Sequence, residues 1–254
     1  MNAVRTARHS ATLAGRTLLK IRHSPDSVFD VLLMPVVFVL MFVFLFGNSV
    51  SGDWRDYLQL VVPGIAVQAL MFASMGTALG LHSDVHTGVF DRFRSLPIAR
   101  SAPLIGHLLG DLVKYVLCIV VVFGFATLLG FRVHGDPLDV LAAFALLLAF
   151  AFSVAWIAAL VGLTVSSPQG IQAVSFVVVL PLTFGSNIFV PAENLPTWLQ
   201  GWVRINPVSQ LADATRGLLL DVPVGNAVRN GLLCVAALLV VFVPLAIRAY
   251  RRNP

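Results

Sequence analysis

Apolar residues along this chain fall in long blocks separated by short polar stretches. Six blocks, at about 28–47, 58–80, 112–130, 138–165, 171–190 and 227–247, each come near the length of a membrane helix. About 30 Å of hydrocarbon takes roughly 20 helical residues. The pattern therefore predicts an all-α, polytopic integral membrane protein with six transmembrane helices. Pro35, Pro63, Pro181 and Pro244 fall inside blocks. Proline is tolerated there when neighbouring groups satisfy the carbonyl it frees, so these positions mark kinks and not breaks.

Ahead of the first block the period changes. Drawn as a helix, residues 3–23 put Ala7, Ala11, Ala14, Leu18 and Ile21 on one face and Arg5, His9, Arg16, Lys20 and His23 opposite. That is the pattern of a helix lying along the membrane surface with its cations toward anionic headgroups. Ser24-Pro25 ends it, and no small-residue cleavage site follows the first block at Gly47-Asn48, so that block reads as an uncleaved span. The expected organisation is a cytoplasmic amphipathic segment at 1–27, a transmembrane domain at 28–247 and a basic cytoplasmic tail at 248–254. The turn between the fourth and fifth spans must be made by Ser166-Ser167-Pro168-Gln169-Gly170.

Charge sets the orientation. Arg5, Arg8, Arg16, Lys20 and Arg22 precede the first span; Arg92, Arg94 and Arg100 follow the second; Arg248, Arg251 and Arg252 follow the sixth. The other side holds only Arg55, Arg132, Arg204, Arg216 and Arg229. Cytoplasmic loops carry the excess of Lys and Arg, which puts both termini in the cytoplasm and requires an even number of spans.

Composition agrees: 58% of residues are hydrophobic and 11% charged, where a soluble domain has roughly 45–50% and about 25%. The bilayer must act as part of the solvent. A net charge of +5 then speaks of orientation and anionic lipid, not nucleic acid. Cys118 and Cys234 both sit within apolar blocks and read as packing residues.

Several chemistries are excluded. A phosphate-binding loop needs Gly-Lys-Ser/Thr, and the two lysines, Lys20 and Lys114, are followed by Ile21 and Tyr115. A zincin motif needs a glutamate between histidines, and Glu193 is the sole glutamate, with no histidine near it. His82 and His86 lack further zinc ligands and read as solvated loop histidines. His107, Asp111 and Lys114 share one helix face where the third span begins. They form either an Asp111–Lys114 pair with the lysine reaching to the interface, or a proton relay, which would want acids deeper in the membrane. On the fifth span Gln172, Ser175, Thr183, Ser186 and Asn187 make a polar stripe that either lines a pathway or packs against another helix.

The loop at 82–103 interleaves Val89, Phe90, Phe93 and Leu96 with Asp91, Arg92 and Arg94. Such a segment suits a short helix pressed into a protein groove, or a basic loop whose apolar residues dip into the membrane interface. Taken together, Val62-Pro63-Gly64-Ile65 in the second span, Gly88 through Arg100, Asn206-Pro207-Val208-Ser209, and Ala214-Thr215-Arg216-Gly217-Leu218-Leu219 resemble the permeases of ABC-2 type exporters, in the daunorubicin-resistance branch. The resemblance covers nearly the whole chain and departs from the family at His86-Thr87, where members often carry a charged pair.

The resemblance implies a plasma-membrane exporter of two permease subunits, as a homodimer or with a paralogue, served by two cytoplasmic ATPase subunits that bind ATP and Mg. No cofactor belongs to this chain itself, and it has no enzymatic activity of its own. Gly88, Phe90, Asp91, Arg92, Phe93, Arg94, Leu96 and Pro97 would form a coupling helix docking on the ATPase. The segment 190–226 would form short external helices, with Trp198, Leu199, Trp202 and Val203 resting at the outer interface. The cargo would be hydrophobic or amphipathic, such as a drug, a lipid or a polyketide-like compound. Phe72, Met75, Phe176, Thr183 and Asn187 are the expected pathway residues. The same fold also serves lipid or glycolipid export, and a lipid-directed membrane enzyme or a passive channel stands as the competing class.

Overall fold

The computed structural model describes residues 25–88, 102–223 and 225–252, with side chains from residue 33 onward. Within them the chain is helical: α1 (Pro25–Ser51), α2 (Trp54–His86), α3 (Ala102–Leu129), α4 (Pro137–Thr164), α5 (Pro168–Phe184), a single 3-10 turn (Ala192–Asn194), α6 (Thr197–Ile205), α7 (Pro207–Leu220) and α8 (Ala227–Arg252). The amphipathic segment expected before Pro25 and the coupling residues from Phe90 to Pro97 lie outside the described residues.

Local chemistry explains where these helices start. Asp53 caps α2 by accepting from the Arg55 amide at 3.0 Å, and Ser167 caps α5 by accepting from the Gly170 amide at 3.1 Å. Proline occupies the first turn of α4, α5 and α7, where its missing N–H has no helical partner to lose. The tight link from α4 to α5 is Val165 to Ser167; it shares Ser166 and Ser167 with the expected turn, whose remaining residues Pro168 to Gly170 already belong to α5.

Five helices, α1 to α4 and α8, are long and apolar enough to cross a membrane. The fifth expected span is the exception. It ends at Phe184, not near residue 190, and at 17 residues reaches only ~25 Å. The loop between the second and third spans is also shorter than expected, at both of its ends. α2 runs on through His86, so His82 and His86 are helical, and His82 is buried rather than solvated. α3 starts ten residues before the block at 112–130 and takes in His107 and Asp111. At the other end of the chain, α8 continues to Arg252, so most of the expected tail is helix.

α2 is the central helix. It packs against α1, α3, α4, α5 and α7, while α8 closes over α4 and α7. Two glycines permit these approaches. Gly162 on α4 lies so close to the Ala78 backbone of α2 that a Cβ would collide with it. At Gly64, a Cβ would stand 2.7 Å from Ile188 Cγ2, which lies just beyond the end of α5. Gly64→Val should therefore destabilise by about 1–3 kcal/mol, the usual cost of overpacking. Gly124→Ala is the control, since nothing lies within 4 Å of a Cβ there. Thermal midpoints of the purified variants in detergent check the difference.

Candidate functional site

Beyond Phe184 the chain leaves helical geometry but stays inside the protein. Ser186, Asn187, Ile188 and Phe189 are all buried. Buried backbone without helix or sheet must find other partners, and here α7 and α2 supply them. Asn206 caps α7 by accepting from the Val208 amide at 2.9 Å, and its Nδ2 donates to the Leu182 carbonyl of α5 at 2.8 Å. Ser209 Oγ accepts from the Asn187 amide at 3.4 Å. Asn187 Nδ2 donates to both oxygens of Asp213, at 2.8 and 2.9 Å. Tyr57 of α2 donates to the Phe189 carbonyl at 2.9 Å.

Arg216 binds the most partners. Nε donates to the Leu60 carbonyl at 2.8 Å, Nη1 to Asp213 at 2.9 Å, and Nη2 to the carbonyls of Asn187 and Ile188 at 2.8 and 3.0 Å. The Leu60 carbonyl is next to that of Gln59, which Pro63 leaves without its helical donor. Only a planar guanidinium offers donors in enough directions to join α2, α7 and this segment at once. Burial pulls the Arg216 pKa down from its ordinary value, and contact with Asp213 opposes that shift.

Residues 206, 209, 213 and 216 recur at helical spacing, so one face of α7 holds the broken end of α5. In the sequence Arg216 is visible as a charge and as part of a motif, and nothing there gives this face a role. The spacing carries the signal of a shared face; it does not say what that face binds.

The clasp fixes Phe189 against a line of aromatic rings. Phe189 stacks on Phe42 of α1 with centroids 4.0 Å apart, and on Phe184 at 5.3 Å. Along α1, Phe38, Phe42 and Phe46 come at intervals of four residues, with neighbouring centroids 6.0 and 5.5 Å apart. Phe38 meets Phe72 of α2 at 6.0 Å, and Phe72 meets Phe176 of α5 edge-on at 6.3 Å. The rings thus bridge α1, α2 and α5.

Of the expected pathway residues, Phe72 and Phe176 are brought together here, with Met75 half-buried on the same helix as Phe72. Thr183 and Asn187 are placed differently. Thr183 is fully buried and donates to the Val179 carbonyl at 2.8 Å, while Asn187 is occupied by Asp213. The fifth-span stripe divides accordingly: Thr183, Ser186 and Asn187 face protein, whereas Gln172 is exposed.

A second polar group joins the opposite ends of α2 and α3. Asp111 is fully buried, with Lys114 Nζ at 2.7 Å and His107 Nε2 at 3.6 Å. His107 Nδ1 lies 3.2 Å from Asp84 of α2. One turn further along α3, Tyr115 and Thr77 share a hydrogen bond of 2.7 Å. The Asp111–Lys114 pair is thus formed, and His107 extends it across to α2. Gly88, the one coupling residue within the described part, has φ 70°, a left-handed conformation that suits glycine at the end of this helical arm.

Comparison with known proteins bears on the purpose of this arrangement. Residues 9–220 match the ABC-2 type transporter family. The chain is 42% identical to the daunorubicin resistance ABC transporter permease protein DrrB1 of Streptomyces coeruleorubidus, over 96% of its own length and 87% of that protein's. It is 26% identical to the doxorubicin resistance ABC transporter permease protein DrrB of Mycobacterium tuberculosis, over 74% of this chain and 68% of the relative.

Proposed function

Because the chain belongs to the ABC-2 type transporter family, we propose that it forms half of the membrane pathway of an ATP-driven exporter, beside a second permease copy. It is a permease subunit and a multi-pass protein of the cell membrane. Two separate ATPase subunits bind ATP and Mg and supply the energy. The cargo is a hydrophobic or amphipathic molecule. The observation that carries this last step is the line of phenylalanines across α1, α2 and α5, which holds Phe72 and Phe176 in contact.

In this reading α5 is the fifth of six spans. It completes its crossing through the irregular segment that α7 holds, because non-helical backbone at membrane depth is tolerated when buried in protein. Both termini then lie in the cytoplasm. The Asp84–His107–Asp111–Lys114 group sits at the cytoplasmic end, beside the coupling segment, and α6 and α7 lie at the outer end. Trp198, Trp202 and Ile205 share one exposed face of α6, as suits a helix at the headgroup level. A protein whose only tryptophans are Trp198 and Trp202 should lose much of its emission in vesicles of lipid brominated near the headgroup, and little with bromines deep in the chain.

Co-expression with the ATPase encoded beside its gene tests the main reading. The permease is expected to retain that subunit through purification and to change its hydrolysis rate on addition of a transported compound. A pair that separates freely and hydrolyses ATP as the ATPase does alone would overturn it.

A further inference from the structure

Gln68 stands out among the polar side chains buried in α2. Ser74 donates to the Met71 carbonyl of its own helix, and Thr77 bonds Tyr115. Gln68 is 1% exposed, and neither its Oε1 nor its Nε2 has a partner. A buried amide lacking both donor and acceptor partners opposes folding, so its presence in the central helix calls for a compensating use.

Its position indicates that use. Gly64, Gln68, Phe72 and Met75 recur at intervals of four, four and three residues, so they occupy one face of α2. Gly64 receives Ile188 on this face. One turn to the other side of Gln68, Phe72 meets Phe38 of α1 and Phe176 of α5. Gln68 therefore lies between the closed end made by the clasp and the aromatic rings. An amide carries one acceptor oxygen and two N–H donors in a plane, and can bind a hydroxyl or a carbonyl while apolar walls take the rest of a molecule.

We propose that Gln68 is the polar recognition point of a binding site on this face of α2, and that its ligand is an apolar molecule bearing a hydroxyl or carbonyl group. The proposal rests on the exporter reading for its purpose but not for its geometry. In the present structure Gln68 is closed off, while Phe72 and Met75 beside it are partly exposed and Phe176 is exposed. When α1 and α5 part, the phenylalanine rings pack on the ligand and Gln68 gains the hydrogen bonds it lacks. Selectivity arises from the imbalance, because a ligand without a polar group leaves the amide unpaired.

The test compares pyrene with 1-hydroxypyrene, two flat probes that differ by one hydroxyl, on the full-length chain in lipid nanodiscs. Energy transfer from tryptophan to pyrene reports binding, with empty nanodiscs subtracted to remove partition into lipid. The wild-type protein is expected to bind the hydroxylated probe about tenfold more tightly, as one hydrogen bond to a buried group predicts. In Gln68→Leu that ratio should fall to about one, while the thermal midpoint of the ligand-free protein holds or rises, because an unpaired buried amide has been replaced by a side chain of similar size. Phe72→Ala should weaken both probes together. A ratio unchanged by Gln68→Leu, or no saturable binding of either probe, would overturn the proposal. So would a drop in the ligand-free midpoint, since it would mean that the amide already has a structural partner. Because binding is read on the permease alone, failure here is distinct from failure to engage an ATPase.

Discussion

Replacing Arg216 by alanine should lower stability by several kcal/mol, on the order of 3–5, as removal of one member of a buried ion pair does. The change strips donors from the carbonyls of Leu60, Asn187 and Ile188 and a cation from Asp213. Asn187 and Ile188 are buried, so water cannot readily replace the lost donors. The segment after Phe184 has no helix to fall back on, and Phe189 should lose its place against Phe42. Arg216→Lys is expected to recover only part of the loss. A lysine carries its donors on one nitrogen and cannot reach α2 and the 187–188 carbonyls together. Tyr57→Phe removes a single hydrogen bond from the same segment and should cost about 1 kcal/mol. The thermal midpoint and the monodisperse fraction in detergent rank the three. Equal midpoints for Arg216→Ala and Tyr57→Phe would show that the guanidinium does not organise the clasp.

The second large effect is functional. Changing Asp91 and Arg94 together to alanine should leave insertion and the thermal midpoint intact while efflux collapses. In the proposed exporter these side chains sit on the segment that meets the ATPase. Truncating an interface anchor commonly costs about 2 kcal/mol or more, roughly 30-fold in affinity. Efflux from cells and ATP hydrolysis by the purified complex separate the outcomes. Loss of efflux with hydrolysis continuing at the unstimulated rate is the expected pattern, and normal efflux in the double variant would remove the coupling role from this loop. Because neither substituted position belongs to the Arg216 clasp or to the aromatic line, intact stability with lost efflux distinguishes this phenotype from theirs.

Much of the fold was legible before any coordinates. Block lengths located α1, α2, α4 and α8 to within a few residues at most ends, because a helix in lipid has no alternative way to satisfy its backbone. Ser24-Pro25 reads as a break and Ser166 to Gly170 as a turn, and two helices in fact begin inside those stretches, at Pro25 and Pro168. The ends set too short share one cause. A hydropathy block stops where polar residues begin, but a helix need not. α2 continues through Ser83 and Asp84 to His86, and α3 begins before His107, because partners on neighbouring helices accommodate the polar side chains there. The opposite error occurred at residues 185–190, which are apolar enough to extend a span and yet leave the helix. There the decisive groups are Asn206, Ser209, Asp213 and Arg216, some 20 residues or more along the chain.

The candidate site divides in the same way. Phe72 and Phe176 were recognisable as aromatics in spans, and the structure puts their rings in contact. Thr183 and Asn187 carried the same promise as polar residues on a span, but which way a polar stripe faces depends on the groups packed against it. Gln68 gave no sign in the sequence, where a glutamine within a span could equally have had a partner.

By itself the sequence determined that this is a bundle of apolar helices in a membrane, because the length and hydropathy of each block are local properties that the bilayer reads directly. Only the tertiary structure decided that the fifth helix stops short, that Arg216 holds the segment beyond its end, and that Gln68 is left unpaired. Those outcomes depend on which groups from distant parts of the chain come within hydrogen-bonding distance, and a hydrogen bond forms only when both partners are in place.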